Sequence, residues 1–368
     1  MSEKPRVLVL GGSGFIGRHL VTYLWENKLA SRVCVADKLL YQIAGLSEEE
    51  KAIYENKEFL TFKQADLASE AHITRVFEND GGNWTYVINC AAVTKYSQGK
   101  EVYDVNVVTL SKLCAAAAAK YKCKRYIELS TAQVYDAGKK PSAEADKLKP
   151  WTDIARAKLE AEDHVAKTAG LNYVILRPAV VYGTGDILGL TPRLIVGSVY
   201  KESGETMKSL YTKDLKVNTV HVKDVAKAIW FLTGHGDSGS IWNLADKNDT
   251  DLGKINKWLE EIYGIKTKFF GAVEMTAAKA LGTKFLTGHA NDLHLKPFSD
   301  ACKKYNIQDT PLTPYLDEEL LRENSTSVEG SAIEKLGFKY DYPAPNAELL
   351  REVMNDFVKK GFFPKELL

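Results

Sequence analysis

Short apolar runs alternate with longer amphipathic stretches along the first two-thirds of the chain. The runs RVLVL (6–10), RVCVAD (32–37), FLTFKQ (59–64), TYVINC (85–90), RYIELS (125–130) and NYVILR (172–177) are rich in Val, Ile and aromatics. Polar turns bound each of them, which predicts strands buried on both faces. Helical spacing lies between them, over 15–26, 69–79, 101–121 and 153–169. Such alternation predicts a parallel sheet covered by helices on both faces. The charge-rich LSEEEKAIYENKE (46–58) predicts a solvated surface helix after the second strand. The last third changes rhythm. It offers short helices over 252–263, 273–281, 331–336 and 346–360, strand fragments and several prolines. The expected division is a sheet domain over 1–178, completed by about 216–245, and a smaller, mostly helical lobe from 179–215 and 246–368.

Composition narrows this picture. The chain has 368 residues, 45% hydrophobic and 26% charged, enough for one large or two medium globular units with a real core. A formal net charge of +1 gives no reason to expect nucleic acid or an acidic membrane surface as partner. KLCAAAAAKY (112–121) has strong helix propensity but polar ends, and no apolar run reaches membrane-spanning length. MSEKPRVLVLGG enters the first strand almost at once, with no leader-like or basic stretch before it. Five scattered cysteines without a CxxC read as free thiols, so a cytoplasmic protein is expected. The seven histidines lack metal-ligand spacing, and no metal site is expected.

The sharpest motif is VLVLGGSGFIGRHL. Gly11, Gly14 and Gly17 form GxxGxxG directly after a strand and at the opening of a helix. The first glycine permits the tight turn, the second lets a pyrophosphate approach the backbone, and the third lets helix and strand pack closely. The helix N-terminus offers free N–H groups to the phosphates. Asp37 ends the second strand, where a carboxylate would bond the adenosine ribose hydroxyls of a dinucleotide. The expected fold is therefore a Rossmann-type doubly wound sheet. A carboxylate at 37 repels a 2′-phosphate while Lys38 would attract one, and the balance favours NAD over NADP.

With these residues quoted, the chain resembles the extended short-chain dehydrogenases/reductases, the group of nucleotide-sugar epimerases and dehydratases and 3β-hydroxysteroid dehydrogenases. The resemblance runs over nearly the whole chain. ADLAS, NCAAVT, YDVNVVTL, LSTAQVYD, LRPAVVYGTGD, TVHVKDVAKAI and GSIWNLAD follow GGSGFIG in family order, and SAIEKLGFKYDYP resembles the closing segment. It implies a cofactor site formed by Gly11, Ser13, Gly14, Phe15, Ile16, Gly17, Asp37 and Lys38. Asp66 and Leu67 would meet the adenine. Ala91, Ala92, Val93, Asn106, Ser130, Lys158, Pro178, Ala179 and Val181 would complete it.

In that family a Ser or Thr, a Tyr and a Lys act together: the Tyr moves a proton as hydride passes to or from the nicotinamide. Thr131 takes the Ser/Thr place here and Lys158 the Lys place. Ile154 stands where the tyrosine belongs, and it can neither give nor take a proton. Read alone, Thr131 is a polar residue closing a strand and Lys158 a solvated helix lysine. Tyr135 is a candidate substitute, since it resembles a family tyrosine on the active-site side. Tyr96 and Tyr182 are candidates for the substrate pocket, as is Arg193, although a lone arginine is more often paired at the surface. His221, at a helix start, reads as structural. Ala132 and Gln133 replace the Asp–Glu pair of the dehydratases, so dehydration is not expected.

Two functions follow. One is NAD-dependent oxidoreductase or epimerase-type hydride chemistry on an alcohol, ketone or nucleotide-sugar-like substrate. The other is a catalytically silent NAD-binding scaffold or redox sensor. The resemblance also implies a homodimer through the helices over 101–121 and 153–169.

Overall fold

The structure, a computed structural model, describes residues 4–368. Seven strands form its main sheet: β1 (Arg6–Leu10), β2 (Arg32–Asp37), β3 (Leu60–Gln64), β4 (Tyr86–Asn89), β5 (Arg125–Leu129), β6 (Tyr173–Pro178) and β10 (Ser240–Leu244). Their order is β10-β6-β5-β4-β1-β2-β3, and every pairing is parallel. This is the doubly wound sheet that the apolar runs predict. The strand order reverses at β1, and Leu10 is in register with both Ala36 and Asn89. The crevice beyond that edge is where such sheets take their ligands.

The helices Phe15–Glu26 and Val222–Gly234 cover one face of the sheet, with Leu20, Leu24, Val225, Ile229 and Leu232 fully buried. Helix Glu70–Phe77 and the long helix through 110–120 cover the other, with Val76, Phe77, Cys114 and Ala118 fully buried. The sequence predicts no membrane-spanning helix. The helical stretch Lys100–Lys120 does reach the length and mean hydropathy (1.2) of one, but half of it is buried inside the protein. Its middle, Asp104–Thr109, widens into a π-helix.

A second core joins Ile195, Val199, Leu259, Ile262, Phe298, Met354 and Phe357. Two short parallel pairs border this lobe: β7 (Val180–Tyr182) with β9 (Thr219–His221), and β8 (Met207–Ser209) with β11 (Thr267–Phe269). The closing segment returns to the sheet, where Ile333 and Phe338 are buried in the first core. Two lobe helices, Thr191–Ser203 and Thr283–Lys304, are absent from the pattern-based expectation. The five cysteines are all free.

Candidate active site

The glycine loop is a backbone device. Gly11 has φ +76°, and a Cβ there would lie 2.5 Å from the Ala91 nitrogen. A Cβ on Gly17 would lie 2.3 Å from the Gly11 carbonyl oxygen. Side chains are thereby excluded from the turn, and the helix N-terminus is left facing a cavity. Arg18 fastens the loop, and the sequence reading missed it. Its guanidinium donates to the carbonyls of Ser13 (2.9 Å), Ala44 (2.8 Å) and Gly45 (3.2 Å). The signal was a cation set four residues after Gly14 within the apolar stripe of the helix.

Asp37 accepts N–H bonds from Ser13 (2.9 Å) and Leu39 (2.9 Å), while burial raises its carboxyl above the usual range. Lys38 lies 3.7 Å from the Asp66 carboxylate, with its side chain exposed. Leu67 is buried in the sheet core. Asn106 acts through its backbone: its carbonyl accepts from Val93 N–H (3.4 Å), while its side chain donates to Val102 O (2.9 Å). It thus pins the segment after β4 to the π-helix.

A cavity of about 820 Å³ begins at this loop. Ser13, Gly14, Phe15 and Ile16 line one end, and Ala92, Ser130, Thr131 and Lys158 line the middle beside Pro178, Ala179 and Val181. The structure therefore brings most of the expected cofactor and catalytic residues to one wall system. Asp37, Lys38, Asp66, Leu67, Ala91, Val93 and Asn106 stand behind or beside it rather than on it.

Lys158 is buried and donates to Leu129 O (2.6 Å), with Glu128 Oε1 3.9 Å from its nitrogen. Burial lowers its pKa and the Glu128 carboxylate opposes that. Glu128 is itself fully buried and takes bonds from Asn89, Ser111 and Tyr126. Thr131 Oγ accepts from Gln133 N–H (3.2 Å). The Ser130 hydroxyl is buried on the cavity wall with no partner. An orphaned hydroxyl, a cradle without Cβ atoms and a buried amine together fit a dinucleotide. Gly11 and Gly17 would admit its pyrophosphate, Asp37 its adenosine ribose, and Lys158 its nicotinamide ribose.

Ile154 also lines this cavity, packed among Tyr103, Val107 and Ala157 with the Tyr96 ring against the same cluster. Two candidates do not reach the site. Tyr135 is buried with its hydroxyl donating to Asn243 Oδ1 (2.8 Å) and accepting from Arg177 (2.8 Å). Arg177 is itself paired with Glu162. Tyr135 is thus a framework residue, because both its hydroxyl bonds are taken inside the protein. Tyr182 is fully buried with its ring edge-on to His221 (5.0 Å), off the cavity wall. His221 caps the helix Val222–Gly234 by accepting from Lys223 N–H (3.3 Å), a structural role.

Tyr96 and Arg193 do line the cavity. Tyr96 Oη accepts from Gln133 Nε2 (2.9 Å), and Gln133 Oε1 accepts from Thr152 (2.9 Å). Thr152 caps the helix Asp153–Ala166, which carries Ile154 and Lys158. Burial depresses the Arg193 pKa, opposed by the nearby Tyr96 phenol and Asp186 carboxylate. Asp186 is already held by the N–H groups of Leu188, Gly189, Leu190 and Thr191.

The model of the NAD dependent epimerase/dehydratase family matches residues 7–245. The chain belongs to this family. Similar curated members include the Saccharomyces cerevisiae sterol-4-alpha-carboxylate 3-dehydrogenase (decarboxylating), 26% identical over 50% of this chain and 54% of that protein. The Dictyostelium discoideum dTDP-D-glucose 4,6-dehydratase is 25% identical over 65% and 58%. The chain thus spans little more than half the length of these two. A Stigmatella aurantiaca ketoreductase of a farnesyl-dihydroquinoline oxide is 25% identical over 75% and 78%. The fold is shared with solved structures. A Streptomyces venezuelae dTDP-glucose 4,6-dehydratase with NAD and TYD bound superposes with TM-score 0.70 at 18% identity, over 99% of this chain and 100% of that one. A Thermotoga maritima UDP-glucose 4-epimerase gives 0.66 at 20%, over 96% and 99%.

Within this epimerase/dehydratase family member, the far end of the cavity is mostly apolar. Val196, Met207, Leu215, Leu252, Ile255 and Leu259 line it, from segments spread over some 60 residues of sequence. The lobe stretch 183–215 supplies part of this wall. The helix Leu252–Tyr263 supplies much of the rest, and no sequence signal marked it as pocket.

Proposed function

We propose that this family member is an NAD-dependent oxidoreductase interconverting an alcohol and a ketone on a largely apolar substrate. One observation carries the reading: a single cavity runs from the glycine loop past Thr131 and Lys158 into the apolar chamber. Hydride transfer is the chemistry a bound nicotinamide would supply. The chain's own residues hold it, exclude water and place the substrate oxygen near Thr131 and Ser130. The apolar walls favour a ring or chain hydrocarbon over a sugar, in line with the sterol and farnesyl compounds named for two relatives. Arg193, whose nearest acid is otherwise engaged, suits one anionic or strongly polar group on that substrate. The Lys38–Asp66 contact and the Asp37 carboxylate support NAD over NADP. Val102 and Val105, exposed on the helical stretch 100–120, support pairing of two copies there.

The test is calorimetric titration with NAD, NADH, NADP and NADPH, followed by NADH oxidation with cyclohexanone, 2-decalone and a 3-ketosteroid. Tight NADH binding with turnover of at least one ketone is expected. NADH binding without any turnover would favour the silent scaffold that Ile154 suggests. No binding of any dinucleotide would end both readings.

A further inference from the structure

If the chain reduces ketones, something must protonate the nascent alkoxide, and Ile154 cannot. The cavity wall restricts the choice. The Lys158 amine is directed at Leu129 O and Glu128. Both Asp186 oxygens are taken by backbone N–H groups. The His294 ring is held near pKa 4 by burial, so at neutral pH it is uncharged and too weak an acid to serve. Two tyrosines line the cavity, and the Tyr211 hydroxyl donates to Leu321 O. Ser130 has a free hydroxyl, but an aliphatic alcohol is a far weaker acid than a phenol.

Tyr96 differs from all of these. Its ring packs against the apolar cluster that holds Ile154, and both residues line the cavity. Gln133 donates to the phenol oxygen and therefore leaves the O–H proton unengaged. The Gln133 orientation is set from behind: Thr152 donates to its side-chain oxygen, and its own N–H donates to Thr131. A donor amide behind the phenol, and no acceptor, leaves the O–H proton for a ligand in the cavity. Resting on the oxidoreductase reading above, we propose that Tyr96 is the catalytic proton donor, held by the Thr152–Gln133 chain.

The step balances. Ketone, hydride from a reduced nicotinamide dinucleotide and one proton give alcohol and the oxidised dinucleotide. The Tyr96 share is the proton: its O–H bond breaks, an O–H bond forms on the substrate oxygen, and the phenolate regains a proton from solvent. Burial pushes the Tyr96 phenol up to about 12, opposed by the Gln133 bond and the nearby Arg193, while Glu319 and Asp317 add to the rise. The phenol is thus protonated at neutral pH, the state that a proton donor to a ketone needs. Arg193 also favours the transient phenolate.

Tyr96→Phe removes only the hydroxyl. It is expected to lower kcat for the best ketone of the panel about 10²–10⁴-fold, with the calorimetric Kd for NADH unchanged. Gln133→Glu, nearly isosteric, turns the donor into an acceptor that captures the phenol proton, and is expected to lower kcat as well. An independent readout is the infrared carbonyl stretch of the same ketone bound with oxidised NAD. Wild type should shift it to lower wavenumber than Tyr96→Phe, because the phenol donates to the carbonyl in one and not in the other. Turnover and carbonyl stretch that both survive Tyr96→Phe overturn this assignment and leave the oxidoreductase reading standing. Absence of turnover in wild type overturns both.

Discussion

The two ends of the cavity are built from different materials. The glycine-loop end is a matter of backbone: Gly11, Gly17 and Asp37 lie within one strand–helix–strand unit and act by what they leave out or by N–H bonds to the main chain. The opposite end is a matter of side chains from distant segments. Tyr96 meets Gln133 across 37 residues, and the Asp153 N–H at the start of the Lys158 helix meets Glu319 across 166. A backbone device needs a short, fixed run of residues and so resists change. A side-chain constellation depends on residues far apart in sequence and can be altered one member at a time.

The contrast predicts opposite ways to break each end. At the side-chain end, removing a charge should do most harm. Glu162 and Arg177 form a buried pair that also fixes Tyr135 and, through it, Asn243. Glu162→Ala leaves a buried guanidinium uncompensated and should destabilise the fold by about 3–5 kcal/mol. Denaturant titration measures it. A loss below about 1 kcal/mol would mean that the pair is solvated and that the frame behind the site is not rigid.

At the backbone end, adding one methyl group should suffice. Gly17→Ala sets a Cβ against the Gly11 carbonyl and the Gly12 Cα, neither of which is a flexible tip. The cost is expected at the upper end of the roughly 1–3 kcal/mol typical of overpacking. Calorimetry should show NAD affinity lost along with it. A variant that keeps both affinity and melting temperature would show that the loop is more compliant than its contacts imply.

Legibility in the sequence follows the same divide. The six apolar runs 6–10 to 172–177 coincide with six strands, and for all but the edge strand β3, which buries only Leu60, burial on both faces leaves the local mark. GxxGxxG is legible for the same reason. The helix Thr283–Lys304 was not. It buries Thr287, Asn291, His294, Phe298, Ala301 and Cys302, a regular helical stripe made half of polar residues and interrupted by Pro297. Hydrophobic periodicity does not register such a stripe. Tyr135 misled for a related reason: its place in the motif put it near the site, but the partners that hold its hydroxyl, Arg177 and Asn243, lie 42 and 108 residues away.

The seam between the two ends offers a pH test. His19, on the first helix, bonds Thr184 O (2.8 Å), and His221 stacks on Tyr342 with centroids 3.8 Å apart. Burial lowers the pKa of both, that of His221 to about 3. A histidine depressed in the folded state contributes stability that is present above its unfolded pKa near 6.5. That stability is lost as pH falls toward the folded value, by up to about 1.4 kcal/mol per pH unit per histidine. Melting temperature should therefore drop between about pH 6.5 and pH 4.5. His221→Asn keeps a residue able to cap the helix and should flatten the slope. An unchanged slope would place the acid sensitivity elsewhere.

The smallest expected effect is the most pointed about the cofactor. Asp37 closes the glycine loop through Ser13, and under the proposed NAD reading it would also meet the adenosine ribose, so the two roles need separating. Asp37→Asn keeps one oxygen for the Ser13 N–H and removes the charge. If the carboxylate contributes mainly a charged bond to a 2′-hydroxyl, NAD affinity should fall about tenfold, or ~1.4 kcal/mol. NADP affinity should rise as the repulsion disappears. If both dinucleotides weaken equally, Asp37 serves the loop alone. The choice between them would then fall to Lys38 and Asp66, whose contact is exposed and easily remade.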